Sequence, residues 1–208
     1  MILKPHHLLF LMVSVSLCTT SHARPADDNR LLVYGDSLSA AYGMDLEQGW
    51  VYLLAEEMGD SWSVNNASIS GETTIGGLNR LSSTLEELQP TVVLLELGAN
   101  DGLRGYSIDS IRRNLADMIK SVQVFGAKPI LAGISLPASY GPRYIDSFRN
   151  MFRELANQHG IAYVDFYLEK LLTDPNYIQS DGLHPSVISQ PIIKESIKKH
   201  LIDLDIVK

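Results

Sequence analysis

Four short segments hold the residue types that acyl transfer requires: Gly35-Asp36-Ser37-Leu38, Ser70-Gly71-Glu72-Thr73, Gly98-Ala99-Asn100-Asp101 and Asp181-Gly182-Leu183-His184-Pro185. Ser37 follows the apolar run Leu31-Leu32-Val33-Tyr34, so a tight Gly-Asp turn would present its hydroxyl at a strand end. A serine hydroxyl is a weak nucleophile and needs a base beside it. Of the six histidines, His6, His7 and His22 fall in the N-terminal leader, and His159 and His200 read as surface residues at helix ends. That leaves His184. Asp181, three residues earlier, is within one turn, where its carboxylate can accept the Nδ1 proton and leave Nε2 facing a serine. Gly71 would bring a backbone N–H to a reacting carbonyl with no Cβ in the way. Asn100 would donate its amide to an oxyanion. Each residue also has a plainer reading. Ser37 fits a turn or N-cap, Gly71 turn punctuation, Asn100 a loop cap and His184 an ordinary loop histidine. Asp36 reads as bracing its own turn and Asp101 as fixing the loop of Asn100. There is no Gly-x-Ser-x-Gly elbow, zinc-type histidine spacing, P-loop or Gly-x-Gly-x-x-Gly, and this chemistry requires neither metal nor cofactor.

The elements that must position these residues alternate between apolar runs and helix-period segments. Strands are predicted over residues 31–34, 62–66, 92–97, 129–134 and 161–164, and helices over 50–58, 78–88, 108–125, 144–159 and 190–202. Continuous apolar strands alternating with helices indicate a parallel sheet covered on both faces, an α/β/α sandwich of three layers. Such sheets bind ligands beyond the carboxyl ends of their strands, where strand order reverses. An order of 2-1-3-4-5 sets the loops carrying Ser37, Gly71 and Asn100 side by side. Strand 5 then lies roughly 14 Å from strand 1. The segment from 164 to 181, which can span roughly 56 Å when extended, reaches back to Ser37.

The 208 residues, 45% of them hydrophobic, suit one globular domain, and a net charge of −7 excludes the basic stripe of a nucleic-acid binder. Residues 1–23 read as a signal peptide: Lys4 precedes an apolar stretch over 8–18, and Ser21-His22-Ala23 resembles a cleavage site. The stretch is shorter than the about 20 residues a bilayer span needs. Cleavage would leave residues 24–208 as a single domain without Cys18, the only cysteine, and would place it in the periplasm or outside the cell. Nothing calls for more than a monomer.

The four segments together resemble the SGNH (GDSL-type) hydrolases. The likeness extends through Val64-Asn65-Asn66-Ala67-Ser68-Ile69-Ser70-Gly71, Leu95-Glu96-Leu97-Gly98, Gly102-Leu103-Arg104-Gly105 and Leu136-Pro137-Ala138-Ser139-Tyr140-Gly141, toward the exported bacterial thioesterase I, lysophospholipase L1 and arylesterase branch. It covers essentially residues 31–201. The resemblance implies a flavodoxin-like fold and a triad of Ser37, His184 and Asp181. It implies an oxyanion hole of the Ser37 and Gly71 N–H groups with Asn100, and hydrolysis of aryl or alkyl esters, lysophospholipids or acyl thioesters. The substrate-binding residues expected with it are Leu38, Ala99, Pro137, Tyr140 and Gly141. Two positions depart from the branch: Glu72 stands where it often has aspartate, and Ala99 where it often has a second glycine, so the acyl site would be narrower. A carbohydrate O-acetylesterase on the same fold is the nearest alternative function, and a non-catalytic lipid-binding module a more distant one.

Overall fold

Leu31, Leu32, Val33 and Tyr34 are fully buried. An apolar run without alternation belongs inside a sheet covered on both faces, and β1 (Arg30–Gly35) lies there, between β2 (Ser63–Asn66) and β3 (Val92–Glu96). The structure, a computed structural model, describes residues 29–166, 171 and 174–207. The expected leader and Cys18 lie outside the described residues. β4 (Lys128–Gly133) and β5 (Ala162–Asp165) complete a five-stranded parallel sheet in the order β2-β1-β3-β4-β5, as anticipated.

Between the strands run α1 (Trp50–Met58), α2 (Thr74–Leu88), α3 (Ala99–Leu103), α4 (Ile108–Phe125) and α5 (Pro142–His159), with α6 (Gln190–Asp203) last. The chain steps from β1 outward to β2, then back past β1 to β3. Right-handed crossovers therefore put α1 and α2 on opposite faces of the sheet. α6 packs beside α1, whereas α2, α4 and α5 pack side by side. Among the described residues, no helix is long and apolar enough to cross a membrane.

α1 and α4 fall on their predicted spans, and most other ends move by one or two residues. The exception is α2, which begins four residues before the expected 78. Thr73 caps it, its hydroxyl accepting the Gly76 N–H at 3.3 Å. Gly76 and Gly77, poor helix formers, hide this first turn in the sequence. α3 is the other difference. Asn100 was expected in a loop and sits on this single helical turn, too short to show a period. His159 is half-buried rather than at the surface, and its Nε2 is enclosed.

Candidate active site

The turn after β1 is tied down from several directions. The Asp36 carbonyl accepts the Ser39 and Ala40 N–H groups at 3.2 and 3.0 Å. Asp36 Oδ1 accepts the Leu38 N–H at 3.1 Å. The Trp50 indole donates to the Leu38 carbonyl at 3.1 Å, and the Asn66 amide to the Ser39 carbonyl at 2.7 Å. Ser37 rides on this fixed turn, half-exposed, between buried Asp36 and Leu38.

The loop that brings His184 to it is a narrow return. The His184 carbonyl accepts the Gln179 N–H at 2.8 Å, and the Tyr177 carbonyl accepts the Ser186 N–H at 2.8 Å. Within it, Asp181 Oδ1 accepts the Leu183 and His184 N–H groups at 2.9 and 3.0 Å. Asp181 Oδ2 lies 2.6 Å from His184 Nδ1, and His184 Nε2 lies 2.9 Å from Ser37 Oγ. Partial burial pushes the Asp181 carboxyl up, but the bonds it accepts from the His184 and Leu183 backbone and from the His184 ring outweigh this and hold it at about 2. It is ionised at neutral pH and can only accept. His184 Nδ1 therefore carries the proton, and neutral Nε2 is the acceptor for the Ser37 hydroxyl.

The expected oxyanion donors stand on either side of this turn, at the ends of β2 and β3. The Asn100 amide donates one proton to Asp36 Oδ2 at 3.0 Å, and its second N–H remains to donate elsewhere. Asp101, on the same short helix, accepts the Thr74 N–H at 2.8 Å and the Thr74 hydroxyl at 2.6 Å, which ties α3 to the start of α2. Gly71 has φ of 80°, and a Cβ built on it meets nothing within 4 Å. Glycine is needed there for the left-handed backbone rather than for clearance.

A profile for the GDSL-like lipase/acylhydrolase family matches residues 33–188. The chain belongs to that family. Esterase TesA of Pseudomonas aeruginosa is 43% identical over 190 residues, covering 90% of this chain and 94% of its own. Thioesterase 1/protease 1/lysophospholipase L1 of Escherichia coli K12 is 40% identical over 195 residues, covering 94% and 91%. Among solved structures, the psychrotrophic esterase EstA from Pseudoalteromonas sp., inhibited by monoethylphosphonate, superposes with a TM-score of 0.82 at 39% identity, covering 85% of this chain and 98% of its own. The chain is an ester hydrolase of the SGNH type.

In this GDSL-like acylhydrolase a cavity of about 210 Å³ opens beside Ser37, Gly71, Asn100 and His184. Three of the expected substrate-binding residues, Leu38, Ala99 and Pro137, line it. Tyr140 and Gly141, also expected at the substrate, are not among its lining residues. The loop after β4 turns away after Pro137: the Tyr140 hydroxyl donates to the Leu103 carbonyl at 2.7 Å, and Gly141 precedes the first turn of α5. Tyr140 thus bonds to the backbone of Leu103, which is itself a wall of the cavity along with Ile134, Leu136 and Leu183. Tyr42 and Ser70 also line it and went unread in the sequence.

Beneath the Ser37 turn of the GDSL enzyme lie two fully buried carboxyls, Asp36 and Glu96. Glu96 Oε2 accepts the Ser39 hydroxyl at 2.7 Å and the Asp36 N–H at 3.4 Å, whereas its Oε1 has no partner. A Cβ on Gly35 would stand 2.5 Å from Glu96 Oε2, so only glycine fits there. Burial raises both carboxyls well above the ordinary range, and the nearby Asp36 charge raises Glu96 further. Each Asp36 oxygen accepts a donor, whereas an ionised Glu96 would leave Oε1 buried with none, so the pair's proton resides on Glu96. The folded protein thus holds a proton that the unfolded chain releases above about pH 4. The contribution of this proton is fully present below that point and declines as pH rises toward neutrality. Asp181 acts in the opposite sense and in a lower window, losing its contribution as pH falls toward about 2. Glu96→Gln matches the protonated acid in shape and has no proton to lose. Its unfolding free energy should fall less steeply than the wild type's between about pH 5 and pH 8, the difference in slope approaching about 1.4 kcal/mol per pH unit. Equal slopes would mean that Glu96 is ionised in the fold.

Proposed function

We propose that the enzyme cleaves esters of fatty acyl groups through a covalent acyl-enzyme on Ser37. As the Ser37 oxygen bonds to the carbonyl carbon, its proton passes to His184 Nε2. The carbonyl oxygen takes the negative charge and is met by the Ser37 and Gly71 N–H groups and the free N–H of Asn100. The ester C–O bond then breaks, and the leaving oxygen takes the proton from His184. Water, activated by the same nitrogen, releases the acid and regenerates Ser37. Asp181 stays ionised and steadies the imidazolium. The observation that carries this reading is the unbroken relay Asp181–His184–Ser37, with contacts of 2.6 and 2.9 Å, opening into an apolar cavity. Aryl and alkyl esters, lysophospholipids and acyl thioesters all present the same carbonyl. Residues 1–23 direct export, and residues 24–208 work as one domain in the periplasm or outside the cell.

The test is stoichiometric labelling of Ser37 by an alkyl fluorophosphonate, beside an acyl-length series of p-nitrophenyl esters. Labelling elsewhere, or none, overturns the nucleophile. Confinement of turnover to acetyl esters would favour a carbohydrate O-acetylesterase and would implicate the Ala99 methyl in shortening the cavity. A reaction that needs a neutral base should also slow in acid, and Asp181, held at about 2, cannot account for that limb. A profile flat from about pH 8 to about pH 4 would remove histidine as the base.

A further inference from the structure

The Tyr42 ring lies against the His184 imidazole, centroid to centroid 4.2 Å with the planes 33° apart. It also lines the Ser37 cavity and is 46% exposed, so part of the ring faces open space at the site. Apart from His184 itself, the other large apolar side chains that line the cavity among the described residues are aliphatic, Leu103, Leu136 and Leu183 among them. Tyr42 is therefore a single aromatic surface, and it lies at the base rather than at the oxyanion donors.

Its position is built rather than incidental. One amide nitrogen of Gln179 donates both to the Tyr42 carbonyl at 2.8 Å and to the Pro185 carbonyl at 3.0 Å, clamping the nucleophile segment to the histidine loop. Gln179 also packs on Gly43, where a Cβ would stand 2.4 Å from its Oε1. Ala41, just before Tyr42, has φ of 54°. A non-glycine residue keeps that backbone only when its surroundings enforce it.

We infer that Tyr42 selects the leaving group, its ring stacking on flat aromatic alcohols as they depart at His184. The inference rests on the mechanism proposed above. His184 Nε2 must hand its proton to the leaving oxygen, so that oxygen comes to rest beside the imidazole. Whatever it carries then meets the neighbouring Tyr42 ring. An aromatic group gains an offset-stacked contact there that a saturated ring of the same size does not.

The experiment compares phenyl butyrate with cyclohexyl butyrate on wild type, Tyr42→Phe and Tyr42→Leu. The acyl group is common to both esters, so deacylation is too, and kcat/KM reports only steps through loss of the alcohol. Intrinsic reactivities cancel in the ratio of variant to wild type. Tyr42→Leu should lower kcat/KM about tenfold on the phenyl ester and about twofold on the cyclohexyl ester, and Tyr42→Phe should stay within about twofold on both, the range an aromatic contact commands. Equal losses on the two esters in Tyr42→Leu, with or without a lower melting temperature, would reduce Tyr42 to a structural wall. Loss in Tyr42→Phe matching that in Tyr42→Leu would assign the effect to the hydroxyl and overturn the stacking. Either result with a wild type that is labelled at Ser37 sinks only this inference. A wild type that is neither labelled nor active sinks the mechanism beneath it.

Discussion

Replacing Ser37 by alanine should abolish ester hydrolysis while the protein stays folded. The expected loss is on the order of 10⁶ in kcat, the scale reached when the nucleophile of a serine hydrolase is removed. Among the described residues its hydroxyl bonds to His184 Nε2 at 2.9 Å, and it lies on a half-exposed turn. The stability cost is then that of one ordinary hydrogen bond, about 1 kcal/mol. The turn itself is held by Asp36, Trp50 and Asn66, none of which the substitution touches. Activity retained within about tenfold, a deficit of only ~1.4 kcal/mol in transition-state stabilisation, would require another nucleophile.

Asn100→Ala should give the next largest effect, and on kcat rather than KM. The free amide N–H meets the substrate oxygen best once that oxygen is charged, so its loss raises the barrier without weakening ground-state binding. A single such donor is worth about 10²–10³ in rate. A second consequence follows from the other amide proton. Asp36 Oδ2 loses its donor in a fully buried position, which costs about 1–3 kcal/mol of stability. Kinetics therefore belong well below the melting temperature of the variant, where essentially all of it is folded. A kcat within about threefold of wild type there would make Asn100 a purely structural support for Asp36.

The central part of this molecule was readable because its signals are local. Residues 31–34 and 92–95 are apolar on every side, which only a sheet interior explains. The 18-residue period of α4 ends on Gly126, as a helix should. The edge strands β2 and β5 are half-exposed and short, so their patterns are faint. Asp181 and His184 were found by spacing and elimination, and Gly71 and Asn100 by their places after strands. What escaped depends on tertiary approach. Nothing in the order of residues 136–141 says that the cavity lining ends at Pro137, short of Tyr140 and Gly141. Tyr42 meets His184 across 142 positions, which no local pattern encodes. Glu96 did leave a trace, a lone acid inside a strand of valines and leucines. Its partner Asp36 was read only as a brace for its own turn, and the buried pair exists only once β1 and β3 align.

Ser37 and His184 are separated by 147 positions, yet they touch. The nucleophile turn, both flanking oxyanion segments and the sheet through β4 all precede the histidine in the chain. As the polypeptide is made from its N-terminus, this framework can assemble while its base is still missing, and the longest loop in the site closes last. Under the proposed mechanism a nascent or partly refolded molecule with native strands should therefore be chemically silent. Regained activity would then time the docking of the segment around Gln179 and say little about when the sheet formed.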